Sequence, residues 1–336
     1  MFLDKELMND LCYFLPNERI AQSPIEPRDN ANLLVVNREK LSFEDCIVRD
    51  LPNFLYKGDL IILNNTKVIK ARLYAITDTS AKVEILLIKK IDIKTGLFMT
   101  KPGKRLKKGK EIIINNKKIG IVKDVDSQGR RIIEFYEEID TILEEFGMIP
   151  IPPYVKKFSK DFNEKYQTKF ANVPGSVAAP TAGLHFTDNL LEELREKGVL
   201  IKFITLHVGP GTFKSLSNEG EVLLEPEWVD ISQDVCDSIK KAKGNNNKIL
   251  VVGTTTMRTV ESTNLEPYSG YIDTIILPGY NFKVPDMFMT NFHLPKTSLL
   301  ALTMAFGGIE LIKKAYSYAI ENDYRFYSFG DAMLII

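Results

Sequence analysis

Between Asp59 and Tyr136 apolar and polar positions alternate in short runs: LIILNN, ARLYAIT, AKVEILLIKK, EIIINNKKIGIV and RRIIEFY. Val83, Ile85 and Leu87 recur at every second residue, the period of a strand with one face buried. NN and SQG between runs supply turn residues. Strands that follow one another without helices predict an antiparallel sheet or a small barrel.

Past Ile149 the pattern changes. IPIPPYVKKFSKDFNEKYQTKF is rich in proline and charge and reads as a linker or flap. Helical and strand periods then alternate. TDNLLEELREKG is an amphipathic helix that Thr187 or Asp188 can cap and Gly198 can end. VLIKFITLHV is a strand, SQDVCDSIKKAKG a helix, KILVVG a strand running into the helix start TTTMRTVEST, and YIDTIILPG a strand. SLLALTMAFGG and IELIKKAYSYAIEND are helical. This alternation predicts an α/β core. LLVV, ahead of the β segment, also reads as a strand. The expected architecture is therefore an α/β core domain (residues 1–58 and 150–336) with an inserted antiparallel β-barrel domain (59–149).

Composition narrows the options. The 336 residues are 44% hydrophobic and 26% charged, which suits a globular chain of about two domains. The formal net charge is zero, so any nucleic-acid contact rests on a local patch. Cys12, Cys46 and Cys236 are odd in number and form no C-x-x-C pair, which argues against a zinc site or a disulfide framework and for a reducing cytoplasm. MFLDKELMND does not read as a secretory signal. No run approaches the roughly 20 apolar residues of a membrane span, so no membrane partner is expected.

Candidate chemistry starts from a scarcity. The chain has three histidines, and His185, His207 and His293 all stand beside Gly or Pro turns. A packed or capping imidazole explains one such placement more simply than three. Ligands in open α/β sheets bind beyond the carboxyl ends of the strands. His207 and Gly253–Thr254–Thr255 both follow such strands. Free N–H groups and threonine hydroxyls at that helix start suit an anion, and an ordinary cap fits as well. His185, ahead of a helix, is expected to be neutral through the helix dipole. The basic run KPGKRLKKGK, including Lys101, Lys104 and Arg105, is either a solvated edge that blocks strand pairing or a contact to RNA phosphates. The Tyr and Phe residues of YVKKFSKDFNEKYQTKF either stack on bases or fill the core. Ser176 in PGSVAA lacks the G-x-S-x-G elbow, which weakens a serine hydrolase reading.

PGSVAAPTAGLHFT, TLHVGPGTF, VVGTTTMRTVES, TNFHLPKTSLL and YRFYSFGDAML occur in this order. Together with ERIAQSPIEPRD, GDLIILNNTKVIKARL and KPGKRLKKG near the N-terminus, they resemble the S-adenosylmethionine:tRNA ribosyltransferase-isomerases of queuosine biosynthesis. The resemblance spans nearly the whole chain. It implies an α/β core with an inserted β-barrel. It also implies transfer and isomerisation of the ribosyl part of S-adenosylmethionine onto a 7-aminomethyl-7-deazaguanine in the tRNA anticodon, giving epoxyqueuosine-tRNA with release of adenine and methionine. S-adenosylmethionine is then a co-substrate, tRNA the partner, the protein a cytoplasmic monomer, and no metal is demanded.

Such chemistry needs a proton carrier near neutral pKa. His185, His207 and His293 are the expected catalytic residues. Arg258 is expected to hold the methionine carboxylate. Thr254 and Thr255 add hydroxyl donors, Gly253 starts their helix, and Thr181 and Gly183 form a wall where backbone approaches the ligand. Lys101, Lys104 and Arg105 are the expected RNA contacts. Asp331 orients a histidine, binds a ribose hydroxyl or caps a turn.

The chain departs from the family pattern after GTF. The usual H-x-M-H-S-E segment is replaced by GTFKSLSNEGEVLLEPEW, with Glu225 where a histidine is expected and Glu227 at the family's glutamate. Cys12 replaces an aspartate, Asn32 an arginine, and Pro210 gives GPGTF for GLGTF. A diverged, catalytically weak tRNA-binding paralogue is the alternative reading.

Overall fold

A computed structural model describes residues 5–152, 154–155, 162–209 and 225–336. The chain divides into two compact units, one of residues 1–67 and 153–336, the other Val68–Pro152.

The larger unit is built on a nine-stranded sheet. In spatial order its strands are Tyr268–Ile272, Glu227–Ile231, Leu200–Leu206, Leu60–Asn64, Ile249–Val252, Met287–Asn291, Ala332–Ile335, Asn32–Asn37 and Ser42–Ile47. The four strands from Leu200–Leu206 to Met287–Asn291 run parallel, and all their carboxyl ends therefore lie along one edge. Leu60–Asn64 is fully buried and pairs in parallel on both sides. Strands covered on both faces read as continuous apolar runs, which is why LIILN belongs here. The sequence pattern had grouped it with the insert, beginning at residue 59; the compact insert starts at Val68 instead.

Helices pack on the sheet. Asp188–Glu196 is capped by Thr187, whose Oγ1 accepts from the Leu190 N–H at 3.2 Å. Its Leu190, Leu191 and Leu194 join Leu33, Leu63, Leu250 and Leu334 in the core. Gln233–Gly244, Thr254–Ser262, Ser298–Gly307 and Ile309–Glu321 follow, close to their expected spans. Within YIDTIILPG only the first residues are a strand, as part of Tyr268–Ile272.

The second unit is a closed barrel of six antiparallel strands. Leu73, Val83, Ile85, Leu87, Phe98, Ile133 and Phe135 fill it, with Phe98 and Phe135 edge to face at 5.6 Å. Register shifts at Leu87/Lys89, Ile112/Ile113 and Ile132/Ile133 supply the bends that closure requires. The protein is thus an α/β fold with an inserted antiparallel β-barrel.

Candidate active site

The four parallel strands end in chemically equipped residues. Leu200–Leu206 delivers His207, Leu60–Asn64 delivers Thr66, Ile249–Val252 delivers Gly253 and Thr254, and Met287–Asn291 leads to His293. Asn64 ties three of these ends: its Nδ2 donates to the Leu206 carbonyl at 3.0 Å and to Thr255 Oγ1 at 3.2 Å. The Gly253 N–H donates to the Met289 carbonyl at 2.8 Å. Gly253 takes φ +84°, a left-handed conformation that favours glycine, and so turns the chain from strand into helix within one residue.

Above this edge lies an open cleft, with Thr181, Gly253, Thr254, Thr255, Asn291 and His293 among its lining. Its walls are largely apolar, from Ala179, Pro180, Ala182, Val208 and Leu299, a common build for small-molecule sites. Tyr327, also on the wall, sits at φ +75°, a strained conformation of the kind that clusters at ligand sites.

The histidines differ in what they can do. His293 lines the cleft and is buried. Its Nε2 lies 2.8 Å from Thr290 Oγ1, its N–H donates to the Tyr316 hydroxyl at 3.0 Å, and its carbonyl accepts from the Tyr13 hydroxyl. Burial pushes its pKa down to about 3. His185 lines a separate, smaller cavity with Arg28 and Arg325. Its Nε2 meets Asn291 Nδ2 at 3.1 Å. Burial lowers its pKa to about 4, with Arg28 and Arg325 adding to the effect; burial, rather than the helix dipole, is the main cause. His207 contacts Thr66 Oγ1 through Nδ1 at 2.8 Å and stacks on Trp228, ring centroids 4.9 Å apart and 20° from parallel. Burial lowers its pKa to about 4. A Cβ at Gly175 would stand 2.4 Å from its Nε2, so only glycine lets the ring lie there. The expected titration near neutrality is not met at any of the three. Buried imidazoles shed their protons because the charged form loses its hydration.

Other expected site residues have other partners. Arg258 is buried and bonds through Nη1 to buried Glu227 and through Nε to the Thr274 carbonyl at 2.9 Å. The carboxylate beside it is therefore the protein's own, and Glu227 also accepts from the Gly209 N–H at 2.9 Å. Arg258 borders a small separate cavity with Ser298 and Leu302, whereas Thr254 and Thr255 line the main cleft. At Gly183 a Cβ would approach the Phe170 ring to 2.9 Å, so this glycine serves close packing. Asp331 is fully buried and clamps backbone: it accepts from the Asn32 N–H at 3.1 Å and the Arg325 N–H at 2.7 Å. Asn32, one of the departures noted above, is thus held by Asp331. The Ser176 hydroxyl donates to the Ala178 carbonyl at 2.6 Å and accepts from the Val208 N–H at 2.9 Å, which occupies it structurally. Pro210 and the rest of GTFKSLSNEGEVLL lie outside the described residues.

Lys101, Lys104 and Arg105 are exposed on the barrel unit, at the end of a strand and in the 3-10 turn Gly103–Arg105. Farther along the same run, Lys108 and Lys110 pair with Asp124 and Asp78. The aromatics Phe162 and Tyr166 are core: both pack on Phe329, at 5.7 and 5.8 Å.

Sequence reasoning did not single out Thr290, Asn291, Tyr327 or Ser328, which all line the cleft. Thr290 and Asn291 belong to MTNFHLP and end a core strand. A polar pair closing a fully apolar run was the available signal. Among the described residues there is no group of three or more His, Cys, Asp or Glu able to hold a metal, and no helix long and apolar enough to cross a membrane.

Comparison with known proteins agrees with this architecture. The family model described as "Queuosine biosynthesis protein" matches residues 8–335. An S-adenosylmethionine:tRNA ribosyltransferase-isomerase of Halothermothrix orenii is 44% identical over 340 residues, covering 98% of this chain and 99% of that protein. Proteins of the same name from Thermosipho africanus and Clostridioides difficile are each 44% identical, over 334 and 338 residues, covering 98% and 97% of this chain and 99% and 98% of theirs. The crystal structure of an S-adenosylmethionine tRNA ribosyltransferase from Thermotoga maritima is 35% identical, with a TM-score of 0.58, covering 97% of this chain and 100% of that one. With a family model matched from residue 8 to 335 and relatives aligned end to end, this chain belongs to the queuosine biosynthesis protein family.

Proposed function

We propose that the protein is an S-adenosylmethionine:tRNA ribosyltransferase-isomerase. It moves the ribosyl part of S-adenosylmethionine onto 7-aminomethyl-7-deazaguanine in a tRNA anticodon, isomerises it to epoxyqueuosine, and releases adenine and methionine. The observation that carries this reading is 44% identity to relatives of that name over nearly the full length of both chains. The cleft adds a fitting geometry: apolar walls for a base, hydroxyls for a ribose, and a helix start whose free N–H groups favour developing negative charge.

The reaction begins at the C5′–H that the sulfonium acidifies. A base must take that proton, adenine must depart, and the tRNA amine must attack as a neutral group. His293 is the imidazole that lines the cleft, and we assign it to this step; burial favours its neutral form and makes it a weak base. Thr290 holds its Nε2. Thr254 and Thr255 offer hydroxyls at the positive end of their helix. Glu227, paired with Arg258, holds the Gly209 N–H next to Val208 of the cleft wall. His207 and His185 support the strand ends through Thr66 and Asn291. Lys101, Lys104 and Arg105 on the barrel unit contact the tRNA backbone. We assign the enzyme to the cytoplasm, as a monomer that needs no metal.

The test is mass analysis of the nucleosides of precursor tRNA before and after incubation with the purified protein and S-adenosylmethionine. Conversion of the 7-aminomethyl-7-deazaguanosine to epoxyqueuosine supports the assignment. Unchanged nucleosides, with an enzyme of the family active in parallel, refute it. The replaced segment around Glu225, which lacks histidine, favours a second reading: a diverged tRNA-binding paralogue, which would bind the same tRNA and leave it unmodified.

A further inference from the structure

Asn291 is 3% exposed and lines the cleft, yet its buried side-chain oxygen Oδ1 has no hydrogen-bond partner. Folded chains seldom retain a buried acceptor without a use for it, since the loss of hydration is uncompensated. The orientation of this amide is fixed by its neighbours. The Arg28 carbonyl hydrogen-bonds the His185 ring. A carbonyl only accepts, so the single N–H of the neutral imidazole is directed there. Nε2 of His185 is then an acceptor, and it faces Asn291 Nδ2 at 3.1 Å. The same Nδ2 donates to the Asp331 carbonyl at 3.3 Å. Both amide protons therefore point into the protein. Turning the amide over would set Oδ1 against two other acceptors.

We propose that Asn291 Oδ1 determines nucleoside specificity by accepting a hydrogen bond from the exocyclic amine of adenine, and that His185 is the positioning residue that fixes the amide. The inference rests on S-adenosylmethionine being the substrate. The hydroxyls of Thr254, Thr255 and Ser328 donate or accept equally and cannot tell an amine from a carbonyl. A locked amide oxygen can. The apolar residues Ala179, Pro180, Ala182 and Leu299 on the cleft wall suit the face of a base, which brings a base edge, rather than the sugar, to a buried acceptor. His185 thus acts through Asn291 and needs no proton transfer of its own.

Calorimetric titration of the full chain with S-adenosylmethionine and with its 6-oxo analogue, S-inosylmethionine, tests this. The 6-oxo compound places a carbonyl against Oδ1, and its binding is expected to be at least roughly tenfold weaker. In His185→Ala only the Asp331 carbonyl still holds the amide, and that ratio is expected to fall. Should this variant fail to fold, Asn291→Ala takes its place, and there too the ratio is expected to fall; a ratio unchanged from wild-type in folded Asn291→Ala overturns the inference. Equal binding of the two compounds by the wild-type overturns the inference and leaves the substrate assignment standing. Discrimination against a 2′-deoxy analogue in place of the 6-oxo compound overturns it in favour of a ribose contact. An unchanged ratio in folded His185→Ala overturns the positioning role. No binding of S-adenosylmethionine at all refutes the substrate assignment and the inference together.

Discussion

The hydroxyl oxygen of Thr290 lies 2.8 Å from Nε2 of His293, and both residues line the cleft. If His293 takes the C5′ proton, His293→Ala slows single-turnover adenine release by roughly 10²–10⁴-fold. Thr290→Val removes one hydrogen bond at nearly constant volume and is expected to cost about tenfold. Affinity for S-adenosylmethionine should change little in Thr290→Val. A full rate in His293→Ala would reduce this residue to packing.

The histidines also predict the acid response. His185 titrates near pH 4 in the folded chain, against about 6.5 unfolded. Below pH 6.5 the unfolded state binds a proton that the native state refuses. Stability is therefore full above about pH 6.5 and is lost as pH falls toward 4, by up to about 3 kcal/mol from His185 alone. Unfolding measured in urea at a series of pH values reads this slope. Trp228, the single tryptophan, stacks on His207, so its fluorescence reports protonation of that ring. The quenching transition should fall near pH 4, where burial holds His207, and a midpoint at 6.5 would show the imidazole to be solvated.

Arg258 and Glu227 are a buried ion pair with side chains 5% and 6% exposed. Glu227→Ala leaves a guanidinium buried without its counter-charge, a loss of about 3–5 kcal/mol. Replacing both, Arg258→Met with Glu227→Leu, should cost less than the single change. Denaturant unfolding of the three variants checks the order.

Gly175 tests the seat of His207. Gly175→Ala places a carbon 2.4 Å from Nε2, so the ring must shift against Trp228 or Thr66. Reduced stability and altered Trp228 fluorescence are expected at neutral pH. A variant indistinguishable from wild-type would show that the ring has room to move.

Much of the architecture was legible because it follows from period. Val83, Ile85 and Leu87 alternate and lie in the barrel; Leu190, Leu191 and Leu194 repeat at helical spacing and lie in the core. Leu60–Asn64 was assigned to the insert because a strand buried on both faces carries no alternation, and only its parallel partners reveal its sheet. At the cleft, strand-end reasoning located Gly253, Thr254 and Thr255, and the histidine count located His293. For Arg258 and Gly183 the sequence did not show the partners Glu227 and Phe170, which are remote along the chain or adjacent only in the fold. Asn291 was missed because its value lies in an unpaired atom, which a residue type does not disclose.

The central claim is that this cleft performs ribosyl transfer. The most direct measurement is adenine release when the purified chain meets S-adenosylmethionine and tRNA carrying 7-aminomethyl-7-deazaguanine. One adenine is expected per tRNA modified, with none released without tRNA. Retained tRNA binding with no adenine above background, beside an active enzyme of the family, would contradict the account.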